Sequence, residues 1–125
     1  MPFFDSDKHL IHIMMDMIRQ NYGGKTYDFE MAKQCSAHAG HMALIGHCFH
    51  SDVAYWGSAT AENVAHETVI YRNFISAIEE IIRKFMNSEG HRRNIEEHPV
   101  IGIGTAVRFE EDGTERLYVA QRFRH

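Results

Sequence analysis

Apolar positions recur three and four residues apart over 6–21, at Leu10, Ile11, Met14, Met17 and Ile18, the spacing that lines one face of an α-helix. Asp5 and Ser6 are capping candidates at its start, and Gly23-Gly24 closes it. A second helix is predicted from about Asp28 to Cys48, with Met31, Ala32, Cys35, Ala39, Met42, Ala43 and Ile45 on one side. Its many Ala and Gly residues predict close packing against a neighbour. Periodicity lapses from Phe49 to Thr60, where Ser51, Asp52, Gly57, Ser58 and Thr60 predict a surface loop carrying the single tryptophan, Trp56. The segment AENVAHE, residues 61–67, reads as one or two helical turns. The longest helix is predicted from about Thr68 to Asn87, its buried stripe formed by Ile70, Phe74, Ala77, Ile78, Ile81, Phe85 and Met86.

The period then changes from 3.6 to 2. Ile101, Ile103, Val107 and Phe109 alternate with small or charged residues, as do Leu117, Val119 and Phe123 after EEDGTE, so two half-buried strands of a hairpin are predicted. For both apolar sets to share a face, paired positions must sum to an even number, which requires an odd loop. Glu111-Asp112-Gly113 with Gly113 left-handed satisfies this. Helices first and a hairpin last predict an α+β domain, with the loop around Val53 to Trp56 as the place for any further strand.

With 125 residues and 44% hydrophobic content, the chain is long enough for one domain, 1–125, with its own core and no need of disulfides or metal to hold it. A net charge of -4 gives no whole-chain attraction to nucleic acid or anionic lipid. The local basic set Arg83, Lys84, Arg92 and Arg93, extended by Arg108, Arg116 and Arg122 as exposed groups, is interleaved with Glu79, Glu80, Glu89, Glu96 and Glu97. It predicts a mixed solvated surface and no nucleic-acid partner. The first twenty residues lack a basic start, apolar core and small-residue cleavage site, and no window is apolar enough to span a bilayer. The expectation is a cytoplasmic chain without a transmembrane segment, or an extracytoplasmic one if a leader has been trimmed. Cys35 and Cys48, thirteen residues apart in one predicted helix, would lie about 20 Å from each other, too far for a disulfide.

The ten histidines supply the candidate chemistry. His38 and His41 in HAGH have the three-residue spacing of two metal ligands on a helix face, or of a partly solvated polar face. His47 and His50 in HCFH suit a helix C-terminus or a ligand pair. Glu62 and His66 in AENVAHE, with Asn63 and Glu67 beside them, make a metal half-site, an acid/base pair or a local ion pair. His91 stands between Gly90 and two arginines in NSEGHRRNI, where Gly90 reads as a left-handed helix stop. Cys35 reads as inert core and Cys48 as a weak thiolate candidate. GIGTAV has no phosphate-loop lysine and no following helix, which excludes a nucleotide site of that type.

The ordered pieces FHS, AENVA, FMNS, SEGHRRNI, IGIG and YVAQRF over about residues 30–123 resemble the CAP superfamily, the cysteine-rich secretory protein, antigen 5 and pathogenesis-related domain, in its short bacterial SCP-like form. The resemblance implies an α-β-α sandwich with a small antiparallel sheet between helices. It also implies a concave cleft whose two histidines and acidic residues hold a divalent cation, often zinc. Carried over by motif, these are His50, with His47 as alternative, Glu62 and His91; His66 or Glu67 is a possible extra ligand. FMNS departs from the Trp-x-x-Glu pattern of many members: Phe85 takes the aromatic position and Ser88 the acidic one. Ser88 then reads as the cap of a short turn through Ile95 that aims His91 into the cleft opposite Glu62.

The expected function is a binding module whose cleft, lined by His50, Glu62, Asn63, Ser88, His91 and Arg92, takes a divalent metal or a small-molecule, lipid, peptide or glycan ligand. Arg92 is either a supporting group or a purely structural bridge. A zinc-dependent hydrolase with Glu62 as general base on metal-bound water is the alternative from another class. A structural domain that forms a homodimer through its Met and Phe residues is the third.

Overall fold

The computed structural model describes residues 3–125, with side chains from His9 onward. In chain order the elements are α1 (Phe3–Tyr22), β1 (Thr26–Tyr27), α2 (Phe29–Ile45), a single 3₁₀ turn (Val53–Tyr55), β2 (Ala61–Val69), α3 (Phe74–Met86), α4 (Glu89–Glu97), β3 (Val100–Phe109) and β4 (Glu115–Arg124). The strands form one mixed sheet in the order β1-β3-β4-β2, with β1 parallel to β3 and the other pairs antiparallel. α2 packs on one face through Cys35, Ala39, Met42 and Ala43 against Tyr118 and Ala120. α1, α3 and α4 cover the other face, where Met14, Ile18, Ile78, Ile81, Phe85 and Ile95 meet Ile101, Ile103, Leu117, Val119 and Phe123. The α+β class and the α-β-α layering match the expectation. No helix of the described residues is long and apolar enough to cross a membrane.

Local chemistry sets the boundaries. Asp28 Oδ1 accepts from the Glu30 and Met31 N–H groups at 2.9 and 3.0 Å, satisfying donors that the first turn of α2 leaves free. Gly46, left-handed at φ 71°, ends the helix by bonding its N–H back to Met42 O. α2 therefore stops short of Cys48, and the reasoning that ran one helix through both cysteines fails although both are indeed free thiols. α1 starts at Phe3, so Asp5 and Ser6 lie within it rather than before it; their side chains fall outside the described residues.

AENVAHE is a strand, not helical turns. Along β2, Ala61, Ala65 and Val69 are four apart, a spacing that one face of a helix and one face of a strand both accept. The β4 backbone decides, pairing all nine residues from Ala61↔Phe123 to Val69↔Glu115. No strand forms at 53–56, which holds the 3₁₀ turn. Because β2 extends to Val69, the following helix cannot start at Thr68. The chain reverses through Tyr71 and Arg72, both at positive φ (52° and 58°), and Asn73 Oδ1 caps α3 by accepting from Ser76 N–H at 3.0 Å. Ile70, predicted to be buried, stands 64% exposed in that reversal. Gly90 is not a left-handed stop but sits in the first turn of α4; Ser88 stands at the N-cap position as expected, but its side chain makes no capping bond.

The hairpin keeps the predicted parity: Ile101↔Phe123, Ile103↔Gln121 and Val107↔Leu117. Glu110 N–H donates to Thr114 O at 2.8 Å around the three-residue loop, with Gly113 at φ 87°. Its strands are not half-buried, however. The small and polar residues of the second face are covered by α2, so Tyr118, Ala120 and Arg122 are as buried as Leu117 and Val119.

That second layer depends on two glycines. A Cβ at Gly104 would lie 2.1 Å from Ser36 N and 2.2 Å from Cys35 C, and one at Gly102 would lie 2.6 Å from Ala32 N, so the α2 backbone rests directly on β3. Gly104→Ala should destabilise the protein in urea denaturation by at least the about 1–3 kcal/mol of overpacking, because backbone cannot step aside as a side chain can. Gly40→Ala, with nothing within 4 Å of its added Cβ, should instead stabilise the exposed side of α2 by about 0.5–1 kcal/mol. Equal effects of the two changes would refute the close approach.

Candidate functional site

β2 places Glu62 and Asn63 on opposite faces of the sheet, because successive side chains of a strand alternate. Glu62 points to the α2 side and is directly opposite Arg122 of β4. Its side chain is wholly buried, and its carboxylate accepts from four groups. Oε1 accepts from His50 Nδ1 at 3.0 Å and Ser51 N–H at 2.9 Å, while Oε2 accepts from Arg122 Nε at 3.1 Å and from Ser51 Oγ. Burial by itself raises the Glu62 pKa, but the bonds from Ser51, His50 and Arg122 outweigh it and hold the carboxyl below the ordinary glutamate value.

The guanidinium of Arg122 is spent in the same network. It donates through Nη1 to Gln34 Oε1 at 3.0 Å and Tyr55 O at 3.3 Å, and through Nη2 to Ser51 Oγ at 2.8 Å. Ser51 Oγ also accepts from Trp56 Nε1 at 2.9 Å. One buried ion pair thus binds β2, β4, α2 and the segment between α2 and β2. Arg122 was expected to be an exposed basic residue and is only 3% exposed. Alternation marked it as solvent-facing, and nothing local in YVAQRF signals that a helix covers it. Ser51, Gln34 and Trp56 were likewise not anticipated as part of the site.

An ionised carboxylate only accepts, so His50 donates from Nδ1, and in the neutral ring this leaves the lone pair on Nε2. His50 is largely exposed, and the bond to Glu62 holds its ring at the outer edge of the sheet. His91 approaches the same edge from the other layer. It stacks on Phe85 with ring centroids 5.0 Å apart, and its Nδ1 lies 2.8 Å from Ser88 Oγ. Ser88 thus marks the start of α4 but uses its hydroxyl on His91 instead of a backbone cap. Burial first, and then the neighbouring His50 ring, push the His91 pKa below the ordinary histidine range. Asn63, fully buried on that face, ties α4 down: its Nδ2 donates to His91 O at 3.1 Å and Gln121 Oε1 at 3.2 Å, and its Oδ1 accepts from Asn94 at 2.9 Å. Arg92 takes the bridging role, from Nη1 to Met86 O at 3.0 Å and from Nε to Glu96 at 3.2 Å.

The remaining candidates lie elsewhere. His47 stacks on Phe49 at 6.1 Å. His66 stacks on Tyr118 at 5.4 Å, beside Arg116; burial, then the charges of Arg116 and Lys84, lower its pKa. Glu67 pairs with Lys84. His38 is buried, not solvated, and donates from Nε2 to Phe49 O at 2.6 Å, while His41 meets the Phe49 ring edge-on at 5.5 Å. Burial pushes the Cys35 thiol up to about 12 and raises that of Cys48, so neither is an activated thiolate. Among the described residues no three His, Cys, Asp or Glu side chains converge as a metal-binding group.

Comparison with curated protein sequences gives no match. A family model described as the cysteine-rich secretory protein family, CAP, matches residues 17–123. Among solved structures, an outer surface protein of Borrelia burgdorferi is similar, with a TM-score of 0.60 at 14% identity over 94% of this chain and 95% of that one. Venom allergen-like protein 4 of Schistosoma mansoni aligns with a TM-score of 0.55 at 10% identity over 94% of this chain and 87% of that one. At these identities the two structures attest the fold.

Glu62→Gln would leave the Arg122 guanidinium buried without its counter-charge, at a cost of about 3–5 kcal/mol at neutral pH in urea denaturation. Because the folded-state pKa of Glu62 is depressed, its stabilisation is complete above the ordinary value of 4.5 and is lost as pH falls through the lower folded value. The variant should therefore show a shallower acid loss below pH 4.5 than the parent. Unchanged neutral stability would remove the pair from its central place.

Proposed function

The chain belongs to the cysteine-rich secretory protein (CAP) family, and on that premise we propose that it is a binding module whose cleft at the β2 edge engages its ligand through His50 and His91. The observation that carries this is the bond from His50 Nδ1 to the buried, ionised Glu62. A carboxylate behind Nδ1 turns Nε2 outward as a lone-pair donor, the arrangement by which proteins orient metal-binding imidazoles. Ser88 Oγ stands behind Nδ1 of His91 in the same way. Depressing the His91 pKa favours its neutral form, the one that can donate a lone pair.

In this reading the two imidazoles would hold a divalent ion, completed by water or by a ligand's own oxygen. The residues do not fit a closed zinc centre, since both Glu62 oxygens are already engaged. In this reading Glu62 positions His50 and does not touch the ion. A bound ion would supply a positive point for a carboxylate or phosphate group of the ligand. The same geometry argues against the hydrolase alternative, because a carboxylate bonded to Arg122 and Ser51 with a lowered pKa is a poor general base. Lipid, peptide and glycan ligands all remain within the proposal.

Zinc titration of chelator-stripped protein tests it by calorimetry. One ion per chain is expected, with His50→Ala and His91→Ala each weakening binding at least about tenfold and Ser88→Ala weakening it less. Unchanged affinity in His91→Ala would sink the two-histidine site. Turnover of peptide or ester panels that depends on Glu62 would favour the hydrolase instead.

A further inference from the structure

We propose that the cavity between α2 and the segment 47–56 is a second binding site, for a small organic cation of the quaternary-ammonium type. The cavity has a volume of about 500 Å³ and is lined by Ala37, His38, His41, Phe49, Asp52 and Tyr55, with Gln34, Ser51 and Arg122 at its base. This lies in the size range of small-molecule sites. It opens on the α2 side of the Glu62–Arg122 pair, and neither His50 nor His91 lines it.

Two features select the ligand class. The first is the aromatic wall. The Phe49 ring is flanked edge-on by His38 at 5.0 Å and His41 at 5.5 Å, and the His38 bond to Phe49 O holds the two rings together before any ligand arrives. Tyr55, 76% exposed, adds a further aromatic ring to the lining. Rings grouped around a cavity attract a cation through their quadrupoles, most effectively one that sheds its water readily.

The second feature is charge. Arg122 is neutralised by Glu62 behind it, and its Nη1 and Nη2 are engaged by Gln34, Tyr55 O and Ser51. Asp52 spends Oδ1 on the Ala54 N–H at 2.9 Å and pairs with no cationic side chain among the described residues. With His38 and His41 counted as neutral, the uncompensated charge of the lining is negative, which disfavours an anion. A quaternary ammonium needs no hydrogen-bond acceptor, so it suits a lining whose acceptors are largely occupied.

Trp56, the single tryptophan, reports on the site because its Nε1 donates to Ser51 Oγ at the cavity base. Choline and its uncharged isostere 3,3-dimethyl-1-butanol are titrated in parallel, by Trp56 emission and by calorimetry. Choline should bind saturably with a Kd on the order of 1 mM and the isostere at least about tenfold more weakly. Asp52→Asn keeps the acceptor that caps the 3₁₀ turn and removes only the charge, and should weaken choline about tenfold; Tyr55→Leu should weaken it about fivefold. Both residues are exposed, so folding is preserved. Equal affinity for the isostere, choline binding unchanged in either variant, or no saturation by about 100 mM would each overturn the proposal.

Discussion

The buried pair of Glu62 and Arg122 is the interaction on which the rest of the structure turns. Removing two charges from water costs several kcal/mol per ion, and mutual attraction offsets this only when the remaining lone pairs and protons are also satisfied. Here they are, by groups drawn from four places: β2, β4, Gln34 of α2, and the Ser51–Tyr55 segment. That segment, from Gly46 to Thr60, has no regular structure beyond one 3₁₀ turn. Its course is set by what Ser51 and the Tyr55 carbonyl must reach. His50, next in chain to Ser51, is delivered to the sheet edge as a consequence.

The two layers around the sheet do different work. On one face Ile, Leu, Val and Phe side chains from α1, α3, β3 and β4 form the apolar core, which accounts for most of the hydrophobic driving force. On the other, α2 lies so close to Gly102 and Gly104 that little room remains for side chains. The polar network sits just beyond, where β2 widens the sheet. His50 follows α2 in the chain and His91 lies in α4, so the two reach β2, an edge strand, from opposite faces of the sheet. The amide cluster of Asn63, Asn94 and Gln121 holds the α4 side of that arrangement.

Much of this was legible residue by residue. The parity of the apolar positions in β3 and β4 predicted their register, and Gly113 the turn. The motif order pointed to His50 and Glu62, which the structure joins directly, and to Ser88 at the start of α4. AENVAHE was misread because the four-residue spacing of Glu62 and His66 puts both on one face of a strand as well as of a helix, and only the nine-residue match with β4 separates them. Arg122 was misread for a related reason. Alternation tells which residues share a face but not whether that face meets water, and the α2 layer that buries it comes from a segment some ninety residues earlier in the chain.

The sequence by itself determined the elements whose signals are local: the helical stripes of α1, α2 and α3, and the hairpin with its turn at Gly113. Those features depend on hydrogen bonds and side-chain periodicity within a few residues. Tertiary structure alone decided that Glu62 is spent on Arg122, Ser51 and His50 instead of standing free, that Ser88 supports His91, and that Asp52 is left uncompensated beside an aromatic wall. Protonation, charge compensation and the direction of a lone pair are set by partners brought together across the fold, and no spacing along the chain encodes them.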